Sequence, residues 1–294
     1  MRLGYACINT ALPTKFRTCR LATYEKKGDA FIKELTIHNL ENIYAALKWN
    51  EQQKIFFYRI SSDIVPLGSH EMLTWKWWLD EDVIALTHTI KKFSSSHEMR
   101  LSMHPGQYSV LSTPREEVLQ RTLADLDYHE KLLHLMGGTD MIIHGGGAYG
   151  DISKAKQRFS ESYVRLPERI RSKLRLENDD VTYTLDDVLD IHTLCNIPIC
   201  FDIHHHHCNN NGKDLEPMLN KVFASWPQES IIPKVHISSG KTSETDRRHH
   251  EYVFKQDFER LLLALNGKDV DIMLEAKMKE QAVLKIKKEV FSGS

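Results

Sequence analysis

The chain has 294 residues, enough for one large domain or two small ones, and its 41% hydrophobic and 27% charged residues are the composition of an ordinary globular protein. Lysine and arginine number 39 against 40 aspartate and glutamate, a formal net charge of −1, so no global positive excess announces a nucleic-acid partner and a local patch must hold any such partner. Five cysteines without a CxxC argue against a disulfide framework and for the cytoplasm, no apolar run reaches membrane-spanning length, and MRLGYACINT lacks the apolar core of a signal peptide.

In chain order, apolar runs predict strands at 2–7 (RLGYAC), 54–61 (KIFFYRIS), 98–105 (EMRLSMHP) and 140–146 (DMIIHGG). Four more follow at 172–178, 197–205, 232–239 and 270–277. Most are continuous rather than alternating, as parallel strands covered on both faces should be. Amphipathic segments separate them and predict helices at 30–50, 78–94, 116–138, 152–171, 184–195, 214–226, 255–265 and 280–290. In the first of these Phe31, Leu35, Leu40, Ile43 and Leu47 repeat near the helical period. The segment 116–138 stops at a glycine pair suited to a C-cap. With no linker-like stretch and no internal repeat, the pattern predicts one (β/α)8 TIM barrel over 1–290, with 291–294 as a tail. A doubly wound open sheet is the competing arrangement, but GGGAYG (145–150) lacks the spacing of a dinucleotide loop.

Working sites of such barrels lie at the C-terminal ends of the strands. Those ends here carry Tyr5 then Asn9, Arg59 with Ser61, and His104; next come His144, Glu177, Asp202 with His205, His236 and Glu275. Strands three to eight each deliver a metal-capable side chain at the same end. A single such histidine is ordinarily a hydrogen-bonded structural residue, and a single buried glutamate an ion-pair partner. Burying Glu177, Asp202 and Glu275 together without cations, however, would cost several kcal/mol per charge. The joint pattern therefore predicts a cluster of divalent cations held by nitrogen and oxygen donors, with zinc, manganese and iron all compatible. Cations about 3.5–4 Å apart suit phosphodiester hydrolysis. That chemistry needs a path for an anionic substrate, which KFRTCR (15–20) and SGKTSETDRRHH (239–250) can supply. The basic stretch 154–173 reads equally well as a solvated helix face. Trp75, Trp77 and Trp78 read as a cover for the barrel wall.

HPGQY (104–108), IHGGG (143–147), LEND (176–179), FDIHHH (201–206), KVHISS (234–239) and LEAK (274–277) resemble the ultraviolet damage endonucleases, as do LGYACIN (3–9) and SSDIVPLGSH (61–70). The resemblance spans nearly the whole chain. It implies a barrel similar to the endonuclease IV type, three divalent ions with manganese foremost and zinc or iron open, and a monomer acting on ultraviolet-damaged double-stranded DNA. The implied reaction is incision immediately 5′ of cyclobutane dimers, 6-4 photoproducts and abasic sites, leaving a 3′-hydroxyl and a 5′-phosphate. His104, His144 and Glu177 are then expected to hold one metal. Glu177, Asp202, His236 and Glu275 share the second. His205 takes the third with His249, for which His250 is the alternative. Glu177, Lys234 and His70 are the expected catalytic residues, Lys234 standing where the family has a lysine that can become carboxylated. An ordinary salt bridge to Asp202 or Glu275 is the competing role for Lys234. His204, His206 and His207 are expected to orient ligands or line the loop. Gln107 and Tyr108 are expected to probe the duplex, and Tyr5 and Asn9 to contact the flipped lesion. A sugar isomerase or epimerase on a similar barrel, and a damage-binding protein without catalysis, are the competing functions.

Overall fold

Eight short strands close into a parallel barrel in sequential order: β1 (Leu3–Cys7), β2 (Phe57–Ile60), β3 (Arg100–Met103), β4 (Asp140–His144), β5 (Leu174–Glu177), β6 (Ile199–Asp202), β7 (Lys234–Ile237) and β8 (Asp271–Leu274). The pairing of Leu3 with Ile272 closes the ring. The structure is a computed structural model describing residues 1–13, 15–227 and 231–291, so most of the expected tail, 292–294, lies outside the described residues. Each strand falls inside its predicted run but is only four or five residues long. The flanking polar residues leave the ladder to build the loops of the barrel mouth.

The helices are α1 (Leu21–Gln52), α2 (Glu81–Ser96), α3 (Glu116–Met136), α4 (Ile152–Val164), α5 (Glu168–Arg171), α6 (Leu185–Cys195), α7 (Ile203–Cys208), α8 (Leu215–Ala224), α9 (Lys255–Leu265) and α10 (Lys279–Ile286). The first begins well before 30, with Gly28 at φ +71° marking a break inside it. The second is stopped from extending upstream by Asp80, whose carboxylate accepts the Asp82 and Val83 N–H groups. The expected helix 152–171 is two pieces, because Pro167 disfavours helical backbone at the residue before it. Residues 287–291 form a single π-type turn rather than the end of α10.

The largest correction falls on 197–205. The strand stops at Asp202, and the histidines that follow are helical. Asp202 is the switch, since its side chain accepts the His205 N–H at 2.8 Å and caps α7. Trp77 is buried and packs edge-on against Trp78 and Tyr128, so the tryptophans do cover the wall.

Beneath the site, the first residues of β3, β4, β7 and β8 are all charged: Arg100, Asp140, Lys234 and Asp271. Arg100 bridges Asp140 at 2.8 Å and Asp271 at 2.9 Å, and Lys234 Nζ lies 2.5 Å from Asp140. Arg175 stacks at 4.8 Å on Trp226, whose indole N–H donates to the Ile199 carbonyl at 2.7 Å and helps seal this end. Charged floor and metal-capable mouth are opposite ends of the same strands. No helix among the described residues is long and apolar enough to cross a membrane.

Candidate metal centre

Register assembles the site. His144 pairs with Glu177 between β4 and β5, and Asp202 pairs with His236 between β6 and β7, so four donors stand at two matched levels. His104 and Glu275 follow β3 and β8 by one residue each. Two triads result, His104–His144–Glu177 and Glu177–Asp202–His236, each with one ligand atom per residue and all three within 4.8 Å of one another. Glu177 belongs to both. One of its oxygens lies 3.1 Å from His104 Nε2 and 3.7 Å from His144 Nε2; the other lies 2.7 Å from His236 Nδ1.

The remaining expected ligands lie around this core. His205 Nδ1 is 3.7 Å from Glu177 and 3.9 Å from Asp202, and 2.9 Å from the Asn178 carbonyl. His236 is also 3.3 Å from Glu275, which pairs with Arg59. Of the two candidate histidines, His249 points inward: it lies 4.0 Å from Glu275, and its ring is 6.4 Å from that of His205. His250 instead meets Glu251 at 3.5 Å and the Phe254 ring. His204 reaches the His249 ring and the Cys208 thiol, and His207 lies 3.6 Å from Glu244.

Three buried atoms of this group have no hydrogen-bond partner: His144 Nδ1, His236 Nε2 and Asp202 Oδ2. Asp202 Oδ2 is the orphan on a carboxylate of the second triad, a buried charge-bearing atom that ordinarily has a partner, whereas the orphaned nitrogens of His144 and His236 are the ring atoms opposite those that face Glu177. The donor set fits divalent ions of the zinc, manganese or iron kind.

The electrostatics agree. Burial opposes ionisation of Glu177, yet the imidazoles of His236 and His144 hold its carboxyl well below the usual range. Burial likewise opposes ionisation of Glu275, and Arg59 and His236 overcome it. For His205, burial works downward while Asp202, Glu177 and Glu275 push the imidazole up to about 10. Since the raised value favours the protonated ring below about pH 10, metal-free protein carries a proton there at pH 7. Metal uptake should therefore release protons and tighten as pH rises. Calorimetric titration with Mn²⁺ in two buffers of different ionisation heat should give different apparent enthalpies. Identical heats would show that no ligand is protonated beforehand.

The other expected residues are placed as follows. Lys234 faces the barrel interior one layer beneath His236, and its ion-pair partner is Asp140 rather than Asp202 or Glu275. Burial lowers its pKa, with Asp140 opposing. His70 is exposed in a turn, its Nδ1 accepting the Met72 N–H at 3.2 Å; no hydrogen bond or ion pair links it to the cluster among the described residues. Gln107 and Tyr108 ride the loop after β3, with Tyr108 83% exposed. Both line a cavity of about 630 Å³ whose wall also includes His144, Tyr149, Arg115 and Arg121. Tyr5 is fully buried, and its hydroxyl donates to Asn50 and accepts from Asn9. Asn9 is 4% exposed, so neither residue offers the open surface expected of a lesion contact.

Two supporting residues were not anticipated. Asn178 clasps Asp202 reciprocally, its amide donating to the Asp202 carbonyl and its oxygen accepting the Asp202 N–H, both at 2.9 Å. Arg59 neutralises Glu275 from β2. A strand-end position was its only signal in the sequence.

A family model of the UV-endonuclease UvdE matches residues 1–293. The chain belongs to this family. The UV DNA damage endonuclease of Bacillus thuringiensis subsp. konkukian (strain 97-27) is 35% identical over 309 residues, covering 99% of this chain and 95% of the relative. The crystal structure of SacUVDE superimposes with a TM-score of 0.90 at 34% identity, covering 98% of this chain and 97% of the other. Endonuclease IV from Thermus thermophilus shares the fold, with a TM-score of 0.59 at 14% identity over 84% of this chain and 93% of the other. As a member of the UV-endonuclease family the chain is an endonuclease, and its buried His, Glu and Asp residues form a group able to bind metal.

Proposed function

We propose that this enzyme cuts duplex DNA immediately 5′ of ultraviolet photoproducts, and at abasic sites, leaving a 3′-hydroxyl and a 5′-phosphate. The observation that carries the reading is Glu177, one buried carboxylate common to two metal-capable triads at the mouth of the barrel. The proposed complement is three divalent ions. His104, His144 and Glu177 hold the first; Glu177, Asp202, His236 and Glu275 hold the second; His205 and His249 hold the third. Manganese is assigned first because it accepts carboxylate and imidazole with room for water, and zinc and iron accept the same donors.

When bound, such ions supply hydroxide at neutral pH and stabilise charge on the leaving oxygen. The chain's own residues do the rest. Glu177 orients the imidazoles of His104 and His236, and Arg59 and Asn178 fix Glu275 and Asp202. His70, exposed after β2, is assigned to the phosphate of the bound strand. For Lys234 the proposal is narrower. It acts from one layer beneath His236, and the contact with Asp140 favours its ammonium over a carboxylated form.

Photoproducts join adjacent pyrimidines, so they share weakened pairing and a kinked duplex rather than a base sequence. Tyr108 can fill the gap in the stack and Gln107 can pair with orphaned bases, while the adjoining cavity has space for extruded ones. Tyr5 and Asn9 are proposed to form the wall behind the lesion, since burial leaves Tyr5 no exposed surface. A monomer suits a duplex lying across one face of the barrel.

The deciding experiment is nicking of supercoiled plasmid, irradiated or not, with Mn²⁺ or with EDTA. Nicking confined to irradiated plasmid and abolished by EDTA is expected. If neither plasmid is cut with manganese, zinc or iron, the proposed activity is wrong for this chain.

A further inference from the structure

The segment between β1 and α1 is fastened to the barrel by side chains that the metal centre does not use. Glu280, at the start of α10, is fully buried, and no lysine, arginine or histidine pairs with it among the described residues. Both of its oxygens serve the loop. One accepts the Thr10 N–H at 2.9 Å; the other accepts the Ala11 N–H at 2.9 Å, the Thr10 hydroxyl and the Gln281 amide at 3.3 Å. A buried carboxylate without a counter-cation is costly unless donors fill its lone pairs, so loop and carboxylate hold one another in place. Lys279 just before it sits at φ +47°, a left-handed conformation for a non-glycine residue that persists where the surroundings dictate it.

A second fastening follows from α1. Asn39 is fully buried; it accepts the Arg17 N–H at 2.8 Å and donates to the carbonyls of Arg17, Ile64 and Asp63 at 2.9, 3.0 and 3.2 Å. Asn42 donates to the Lys15 carbonyl at 3.0 Å. The backbone of Lys15 and Arg17 is thus pinned from inside. Their side chains, with that of Arg20, are exposed, and no carboxylate pairs with any of the three among the described residues. Several other cations are paired with carboxylates: Lys156 with Asp187 and Asp190, Arg169 with Asp127 and Glu130, Arg248 with Asp246. Three unpaired cations on an anchored backbone, at the end of the barrel that carries the metal-capable residues, fit a row of phosphates.

We infer that residues 15–20 are a preorganised track for the phosphates of a DNA strand, and that Glu280 and Asn39 are the positioning residues that set it. The inference rests on reading the chain as a DNA endonuclease. It adds the surface that grips the duplex away from the reacting centre.

The test is fluorescence anisotropy of an undamaged duplex with metal-free protein in EDTA, across a range of salt concentrations. Replacing Lys15, Arg17 and Arg20 together by glutamine should lower the slope of log affinity against log salt by about 2–3, close to 0.9 per lost phosphate contact. Glu280→Gln keeps all three cations and makes the protein one charge more positive, so simple electrostatics predicts tighter binding. The track predicts binding weaker by about three- to tenfold with the slope unchanged, because a loosened loop must be ordered on binding. Thr10→Val, which removes only the hydroxyl contact, should weaken binding by about twofold and serves if Glu280→Gln does not fold. An unaltered slope in the triple variant overturns the track. Wild-type or tighter affinity in Glu280→Gln, or in Thr10→Val when that variant stands in for it, overturns the positioning role. A wild-type protein that binds no duplex at low salt overturns the endonuclease reading, and this inference with it.

Discussion

Glu177→Gln should lower metal-dependent nicking of irradiated plasmid by about three orders of magnitude or more and leave the barrel folded. Glu177 ends β5, level with His144 on β4, and its two oxygens face different imidazoles: His104 and His144 on one side, His236 on the other. Removing its charge strips a donor from both triads at once. Each bound ion contributes several kcal/mol of charge stabilisation, and about 1.4 kcal/mol corresponds to a tenfold rate. Glutamine preserves shape and one acceptor, and it relieves the crowding of Glu177 with Asp202 and Glu275. Thermal melting of metal-free protein should remain one cooperative transition, lowered by the loss of the charged contacts of Glu177 with His104 and His236, while bound metal measured by atomic emission should fall. A variant that retains its metal and nicks within tenfold of wild type would show that the two triads do not work through this carboxylate.

Asp140→Ala should be the most destabilising single change on the floor of the barrel. Asp140 is fully buried and answers two cations, Arg100 at 2.8 Å and Lys234 at 2.5 Å, while Arg175 adds to the local positive charge. Truncation leaves the Lys234 ammonium without its partner and Arg100 with Asp271 alone. Breaking a buried ion pair from one side typically costs about 3–5 kcal/mol. At about 2 °C per kcal/mol for a chain of this size, the melting temperature should fall by roughly 6–10 °C. Adding Lys234→Met should recover much of the loss, because the stranded charge is then gone as well. The pH dependence has a definite sign. Burial disfavours the Asp140 carboxylate, but Arg100, Lys234 and Arg175 outweigh it and hold the group well below its ordinary value. Its contribution is complete above the unfolded aspartate value of about 3.9 and is lost as pH falls below it. Asp140→Ala should lack that part of the acid limb. Melting within about 2 °C of wild type at neutral pH would mean that the floor is not held by this pair.

The barrel and much of its mouth are legible in the sequence because their signals are local. Continuous apolar runs identify parallel strands buried on both faces, and all eight contain a strand of the closed barrel. The residue that ends or just follows such a run must point at the mouth, so His104, His144, Glu177, Asp202, His236 and Glu275 are visible one strand at a time. Motifs such as HPGQY and FDIHHH carry the family in the same short-range way.

What stays hidden depends on groups brought together from distant parts of the chain. The histidine run is apolar enough in its context to pass for the end of a strand; it is a helix because the Asp202 side chain caps it, on a backbone that Asn178 clasps from the neighbouring strand end. Lys234 and Asp140 begin strands far apart in sequence, and only closure of the barrel sets them 2.5 Å apart. His249 and His250 are indistinguishable as neighbours. The antiparallel bridge between His249 and Gly240 is part of the local fold in which His249 faces Glu275 and His250 faces Glu251. Tyr5 and Asn9 are expected from the resemblance to contact the lesion, yet Tyr5 lies within β1, its hydroxyl bonds Asn50 on α1 and Asn9, and both residues are buried. Backbone periodicity thus determines which end of each strand a side chain serves, whereas burial, charge and partner are properties of the packed barrel.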